Sequence, residues 1–162
     1  MPAYRFSTLW RLRAPLDDVY GVIVDIDRWP EWWPNVRRIE RLEEGEPDGI
    51  GAVVRATFVG RLPYPLRFDL RVTRRDRPTA MVGAASGELE GTGEWTLWEE
   101  AGGTAVRYVW AIRTTRRWMN LLAPLPFVEE LFRLNHHAVM RGGLRGIRRR
   151  LGGVQGTYTR EE

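Results

Sequence analysis

The 162-residue chain contains no cysteine, which removes disulfides, thiolate nucleophiles and cysteine-ligated metals together. Lysine is missing as well, so all 25 basic residues are arginine. Arginine's planar fork suits ion-pair networks and phosphates better than an ammonium does. The net charge is nevertheless only +4, and most arginines alternate with Asp or Glu. A nucleic-acid binder concentrates its charge on one face, so no nucleic-acid partner is expected. One stretch departs from this: Arg141, Arg145, Arg148, Arg149 and Arg150 have no acid among them. They either complement the negative end of a helix dipole or meet an anionic partner. No apolar run approaches the roughly 20 residues that span a bilayer. The opening residues, MPAYRFSTLWRLRAP, lack the apolar core of a signal peptide. A cytoplasmic protein without stable membrane insertion is the expectation.

Catalytic constellations are sparse too. Neither Ser7 nor Ser86 sits in a nucleophile-elbow pattern. His136 and His137 are adjacent, so on a helix they diverge by about 100° and cannot share a metal. Gly83, Gly87, Gly91 and Gly93 fall inside strand patterns and not in a loop opening a helix, which is where phosphate cradles form. No metal and no cofactor are expected.

What the chain has in excess is tryptophan, eight in all, three of them in the stretch DIDRWPEWWPNV at 25–36. Trp29, Trp32 and Trp33 are spaced so that one helical turn gathers them on one side, and Pro34 then ends that turn. Before this block, residues 3–13 alternate as a strand. Ala14-Pro15-Leu16-Asp17-Asp18 then reads as a helix start, with Pro15 suited to the first helical position and Asp27 to capping the second short helix. From 36 to 116 the pattern is strand-like, with strands near 36–44, 50–60, 64–75, 79–87, 88–99 and 104–115 separated by Gly-, Pro- and Asp-rich turns. Leu66, Phe68, Leu70 and Val72 oppose Arg67, Asp69, Arg71 and Thr73. Val106, Tyr108, Trp110 and Ile112 likewise oppose Arg107 and Arg113. Such alternation marks an antiparallel sheet with one wet and one buried face. Residues 117–126 read as a proline-broken apolar connector, with Pro124 and Pro126 placed to act as a semi-rigid gate. Phe127 to about Leu151 is one long helix. Residues 3–151 are thus expected to form a single domain, and residues 152–162 a flexible C-terminal tail.

On the long helix, Val128, Leu131, Phe132, Asn135, Ala138, Val139, Gly142 and Gly146 share one sector, with Glu129, Glu130, Arg133, His137 and Arg141 opposite. His136 borders the apolar sector. Asn135 lies near its centre, and a buried amide needs partners. The three glycines at 142, 143 and 146 make sense only if the helix approaches its neighbours closely or leaves space beside them.

The order of elements, together with Ala14-Pro15 and Asp17-Asp18-Val19, the block from Asp27 to Pro34, Gly93-Glu94-Trp95-Thr96-Leu97, Gly102-Gly103-Thr104 and Asn135-His136, resembles the START-like helix-grip superfamily, specifically its polyketide cyclase/dehydrase and lipid-transport group. The resemblance covers roughly residues 3–151. It implies an α+β fold: a seven-stranded curved antiparallel sheet wrapped around a long C-terminal helix, with two short helices after the first strand and a hydrophobic cavity between sheet and helix. It implies no single activity. The expected function is binding or carriage of a small hydrophobic ligand, lipid-like or aromatic, in that cavity. The alternative is a cyclase or dehydratase using the same cavity, with His136 or a tyrosine as acid/base. Trp33, Phe58, Tyr64, Phe68, Trp95, Tyr108, Trp110, Asn135 and Val139 are the candidate wall residues. His136 is the catalytic candidate. The tryptophan block is expected to stopper one end of the sheet, with Trp33 alone reaching the cavity. A homodimer is compatible with the sequence.

Overall fold

The computed structural model describes residues 3–161. Strand β1 (Ala3–Leu12) leads into α1 (Leu16–Val24), a single 3-10 turn (Ile26–Arg28) and α2 (Trp29–Trp32). Six strands follow: β2 (Val36–Glu43), β3 (Val53–Phe58), β4 (Leu66–Asp76), β5 (Ala80–Gly87), β6 (Leu89–Glu100) and β7 (Gly103–Thr114). The chain then forms α3 (Arg117–Leu122), α4 (Pro126–Arg150) and a last strand, β8 (Gly156–Glu161). The strands make one antiparallel sheet in the order β2-β3-β4-β5-β6-β7-β1-β8, so the expected α+β helix-grip architecture is present with eight strands instead of seven.

The period-2 pattern becomes burial directly. In β4, Leu66, Phe68, Leu70 and Val72 are buried while Arg67, Arg71 and Thr73 face water. On the wet face, arginines pair across strands: Arg55 with Asp69 at 2.8 Å and Arg113 with Glu90 at 2.7 Å. Exposed pairs of this kind contribute about 0–1 kcal/mol each. They account for much of the arginine excess without a ligand.

Three local expectations are corrected. Pro15 is the residue before the first turn of α1, not within it, and Asp17 and Asp18 supply the acidic first turn. Asp27 does not cap α2; its carboxylate accepts from Arg41 of β2 at 2.6 Å. Part of the expected connector is helical, with Met119 of α3 buried beneath it.

The fourth correction is larger. The expected flexible tail contains β8, which pairs along β1 from Ser7↔Glu161 to Leu12↔Gly156. Its side chains are mostly polar, so no apolar periodicity announces it. Long-range partners hold it instead: Glu161 accepts two bonds from Arg107, at 2.8 and 2.9 Å, and one from Ser7 at 3.2 Å. Arg148 of α4 donates to the Val154 carbonyl at 2.9 Å. Because β8 lies over α4, His137 is covered and only 3% exposed, although periodicity assigns it to the solvent side. Its Nδ1 meets the Tyr158 hydroxyl at 2.5 Å, and Arg141 stacks over the same tyrosine ring at 4.8 Å. Arg150 lies 3.7 Å from Glu31. Three of the five clustered arginines therefore have internal structural partners.

Candidate functional site

The interior between sheet and α4 has two parts. At one end α2 brings Trp29, Trp32 and Trp33 against β1, β6 and α4, and all three are buried. Trp33 is the hub. Its ring lies 5.2 Å from Trp29, 5.4 Å from Trp32, 6.4 Å from Trp10 and 6.1 Å from Trp95. Its indole N–H donates to the Val139 carbonyl of α4 at 2.9 Å, and Trp29 donates to the Ile23 carbonyl at 2.9 Å. The glycines of α4 make this approach possible. A Cβ at Gly143 would stand 2.9 Å from the Trp33 ring, and one at Gly146 only 1.7 Å from the Trp32 carbonyl oxygen.

Beyond this plug the rings no longer fill the interior and leave a cavity of about 60 Å³. Its wall includes Trp33, Phe58, Phe68, Tyr108, Trp110, Asn135 and Val139, seven of the nine candidates, and His136. Tyr64 and Trp95 are placed elsewhere. Tyr64 sits on the outer loop, its ring edge-on to Trp118 of α3 at 5.0 Å. Trp95 stands in the plug behind Tyr108, 4.3 Å from its ring and 5.6 Å from Trp10. Both have the right residue type, and alternation sets only the face of the sheet, not the depth along it. Trp29 also touches the cavity, so Trp33 is not alone among the tryptophans. Phe6 and Phe132 add two further rings to the wall. The signal for them existed, because Phe6 lies on the period-2 face of β1 and Phe132 shares the sector of Asn135.

Asn135 finds its partner across the cavity rim. Its Oδ1 accepts from the Leu62 backbone N–H at 3.1 Å, tying the loop after β3 to α4. Gly60 is required there, since a Cβ at that position would lie 2.4 Å from the same oxygen. His136 is 7% exposed. It stacks on Phe6 at 5.1 Å and more distantly on Tyr108 at 6.2 Å, and its Nε2 pairs with the Thr8 hydroxyl at 3.2 Å. Burial, with the nearby His137 as a second cause, lowers its pKa to about 3. His137 is lowered to about 4, first by burial and then by Arg160, Arg141 and Arg133. Burial raises the Tyr108 phenol well above its ordinary value. At neutral pH the whole wall is uncharged. No cluster of potential metal ligands occurs among the described residues, and no helix among them is long and apolar enough to cross a membrane.

Several solved structures share this architecture. The Zhui aromatase/cyclase from Streptomyces sp. R1128 superposes with a TM-score of 0.73 at 17% identity, covering 90% of this chain and 92% of its own. A START superfamily protein from Mycobacterium smegmatis gives 0.71 at 12% identity, over 91% and 97% of the two chains. A protein from Thermus thermophilus gives 0.69 at 19%, over 90% and 97%. At these identities the likeness is one of fold. No curated protein matches the sequence. The sequence model for polyketide cyclase / dehydrase and lipid transport proteins matches residues 5–152, nearly the entire span from β1 to the end of α4, and the chain belongs to that family.

Proposed function

We propose that the protein binds a small hydrophobic ligand between the sheet and α4, with Trp33, Phe58, Phe68, Tyr108, Trp110, Asn135 and Val139 as its contacts. The observation that carries this reading is an interior wall of ring faces and aliphatic groups, uncharged throughout, that does not close on itself. Enclosed apolar sites with a few polar groups are the usual plan of small-molecule pockets. Burying about 300 Å² of ligand surface contributes roughly 7 kcal/mol before association costs, at ~25 cal/mol/Å².

The present volume is that of a closed form. An apolar cavity on the order of 150 Å³ accepts benzene, and this one is about 60 Å³. Entry therefore requires the enclosure to open. The segment from α3 to the start of α4 does not itself line the cavity, but it is suited to yield, because apart from the buried Met119 several of its apolar side chains gain little from burial where they are: Leu121 is 80% and Phe127 61% exposed. Such weakly held segments open at low free-energy cost.

The similarity to aromatase/cyclases keeps a second reading in view, in which the cavity folds a reactive chain and His136 or a tyrosine moves the proton. Effective acid–base catalysts have pKa values near the working pH. Burial moves His136 and Tyr108 away from neutrality in opposite directions, which favours binding over proton transfer.

Native mass spectrometry of the purified protein tests the binding reading. The expected result is a co-purifying hydrophobic molecule whose removal speeds hydrogen exchange across residues 117–127. If nothing co-purifies and no hydrophobic probe is taken up or raises the melting temperature, the reading fails.

A further inference from the structure

We infer that the ligand is an uncharged, flat, ring-containing molecule that presents a hydrogen-bond-accepting oxygen to Tyr108 and Asn135. This rests on the binding reading above and adds the ligand's chemistry to it.

The first observation is a donor with nothing to donate to. The Tyr108 side chain lines the cavity, half-buried, and its hydroxyl makes no hydrogen bond to another described residue. The space around that oxygen is provided by Gly93 of β6, where a Cβ would stand 2.5 Å from it. A hydroxyl that opens on an apolar cavity is the kind of polar group that orients a guest there. A tyrosine kept unpaired where phenylalanine would pack as well is a group awaiting a partner.

The second observation fixes Asn135. The Leu62 N–H needs an acceptor, so Oδ1 must be the amide atom facing it. That bond settles the orientation of the side chain and leaves the NH₂ group, two donors and no acceptor, without a partner among the described residues. Of the other polar wall atoms, the Trp29 and Trp33 N–H groups are engaged by the Ile23 and Val139 carbonyls and His136 Nε2 by Thr8. Donors are thus in surplus on this wall, and the ligand has to supply the acceptor.

The third observation is the absence of charge. None of the side chains lining the cavity is Arg, Asp or Glu, in a chain where more than a quarter of the residues are charged. A carboxylate brought here would lose its hydration with no cation to replace it. The wall rings, Phe58 and Phe68 among them, stacked at 14° and 5.6 Å, present faces suited to a planar guest.

Three probes of nearly equal shape separate these contributions: indane, 1-indanone and indane-1-carboxylate, titrated calorimetrically into the full-length protein. We expect 1-indanone to bind about three- to tenfold more tightly than indane, the ratio one net hydrogen bond supplies. The carboxylate should bind at least tenfold more weakly than the ketone. Tyr108→Phe should bring the ketone-to-hydrocarbon ratio close to one without lowering the melting temperature, since the hydroxyl it removes has no internal partner. Equal affinity for indane and 1-indanone, or a carboxylate that matches the ketone, would overturn the inference while the binding reading stands. A fall in melting temperature for Tyr108→Phe would also overturn it, by showing that the hydroxyl is already paired inside the protein. If none of the three probes binds, the binding reading itself falls, and the inference with it.

Discussion

The tryptophan plug and the cavity are built from the same kind of residue a few ångströms apart, and they behave oppositely. In the plug, Trp33 has four other tryptophans within 6.4 Å, and α4 is drawn in by glycines until no methyl group fits at Gly146. In the cavity, Phe68, Tyr108 and Trp110 line up along β4 and β7 but face space that α4 does not fill. The difference lies in what stands across from the rings. Opposite the plug, α4 offers hydrogen and backbone; opposite the cavity it offers Asn135, His136 and Val139, and the polar ends of the first two are held by Leu62 and Thr8 and cannot collapse inward. Aromatic content alone makes neither a core nor a pocket. The side chains of the facing helix decide.

The sharpest way to break this comparison is to remove the hub. Trp33→Ala should cost about 3–5 kcal/mol, the range for deleting a large aromatic from a packed core, measured by equilibrium denaturation. It also removes the second hydrogen bond to the Val139 carbonyl, beyond the one that oxygen accepts within the helix. A loss below about 1 kcal/mol would mean that the plug is loosely filled and that the two regions do not differ in packing.

The sequence states some of this contrast plainly and hides the rest for physical reasons. Alternation in β4 and β7 reveals the inward face, and helical periodicity puts Asn135 at the centre of the apolar sector of α4. Both are local patterns. Tyr64 and Trp95 pass every local test, yet one stands outside the wall and the other behind it, because depth along a curved sheet is set by the register of strands distant in sequence. His137 is mistaken for a solvent residue for the same reason: its cover, Tyr158, arrives on β8. That strand has no apolar stripe, is preceded by Gly152 and Gly153, and depends on the β1 ladder and on Arg107. Pairings of this range leave no trace in a window of neighbouring residues.

Acid should separate the regions next. The plug rings carry no side chain that titrates between pH 5 and 7, whereas His136 lines the cavity and His137, next to it on α4, lies under Tyr158 of β8. His136 is held neutral in the fold with a pKa of about 3, against about 6.5 in an unfolded chain. As the pH falls below about 6.5 the unfolded chain therefore takes up protons that the folded chain refuses, and stability declines. For one such histidine the loss reaches ~2 kcal/mol by pH 5, and His137 acts in the same direction. Glu161, whose pKa Arg107 lowers, keeps its stabilising contribution until the pH falls into the ordinary carboxylate range and below, so the window from pH 7 to 5 belongs to the histidines. Denaturation midpoints that fall across that window, and fall less in His136→Gln, are expected. Midpoints unchanged between pH 7 and 5 would show that His136 is not buried as a neutral ring.

The smallest effect is the most direct comparison, because it adds atoms instead of removing them. Val139 lines the cavity, and Val139→Ile extends one methylene toward its empty volume. Where space exists, the added group gains up to about 0.8 kcal/mol from burial; where it does not, overpacking destabilises by about 1–3 kcal/mol. The plug shows the second situation, since even a Cβ at Gly146 meets the Trp32 carbonyl at 1.7 Å. We expect Val139→Ile to raise the melting temperature slightly and at the same time to weaken binding of 1-indanone, because the methylene occupies the space the ligand needs. Gain in stability and loss of binding from one substitution would be the signature of a cavity kept open for a guest. A destabilised Val139→Ile protein would instead place Val139 in a close-packed core like that around Trp33, and the distinction between the two ends of the interior would disappear.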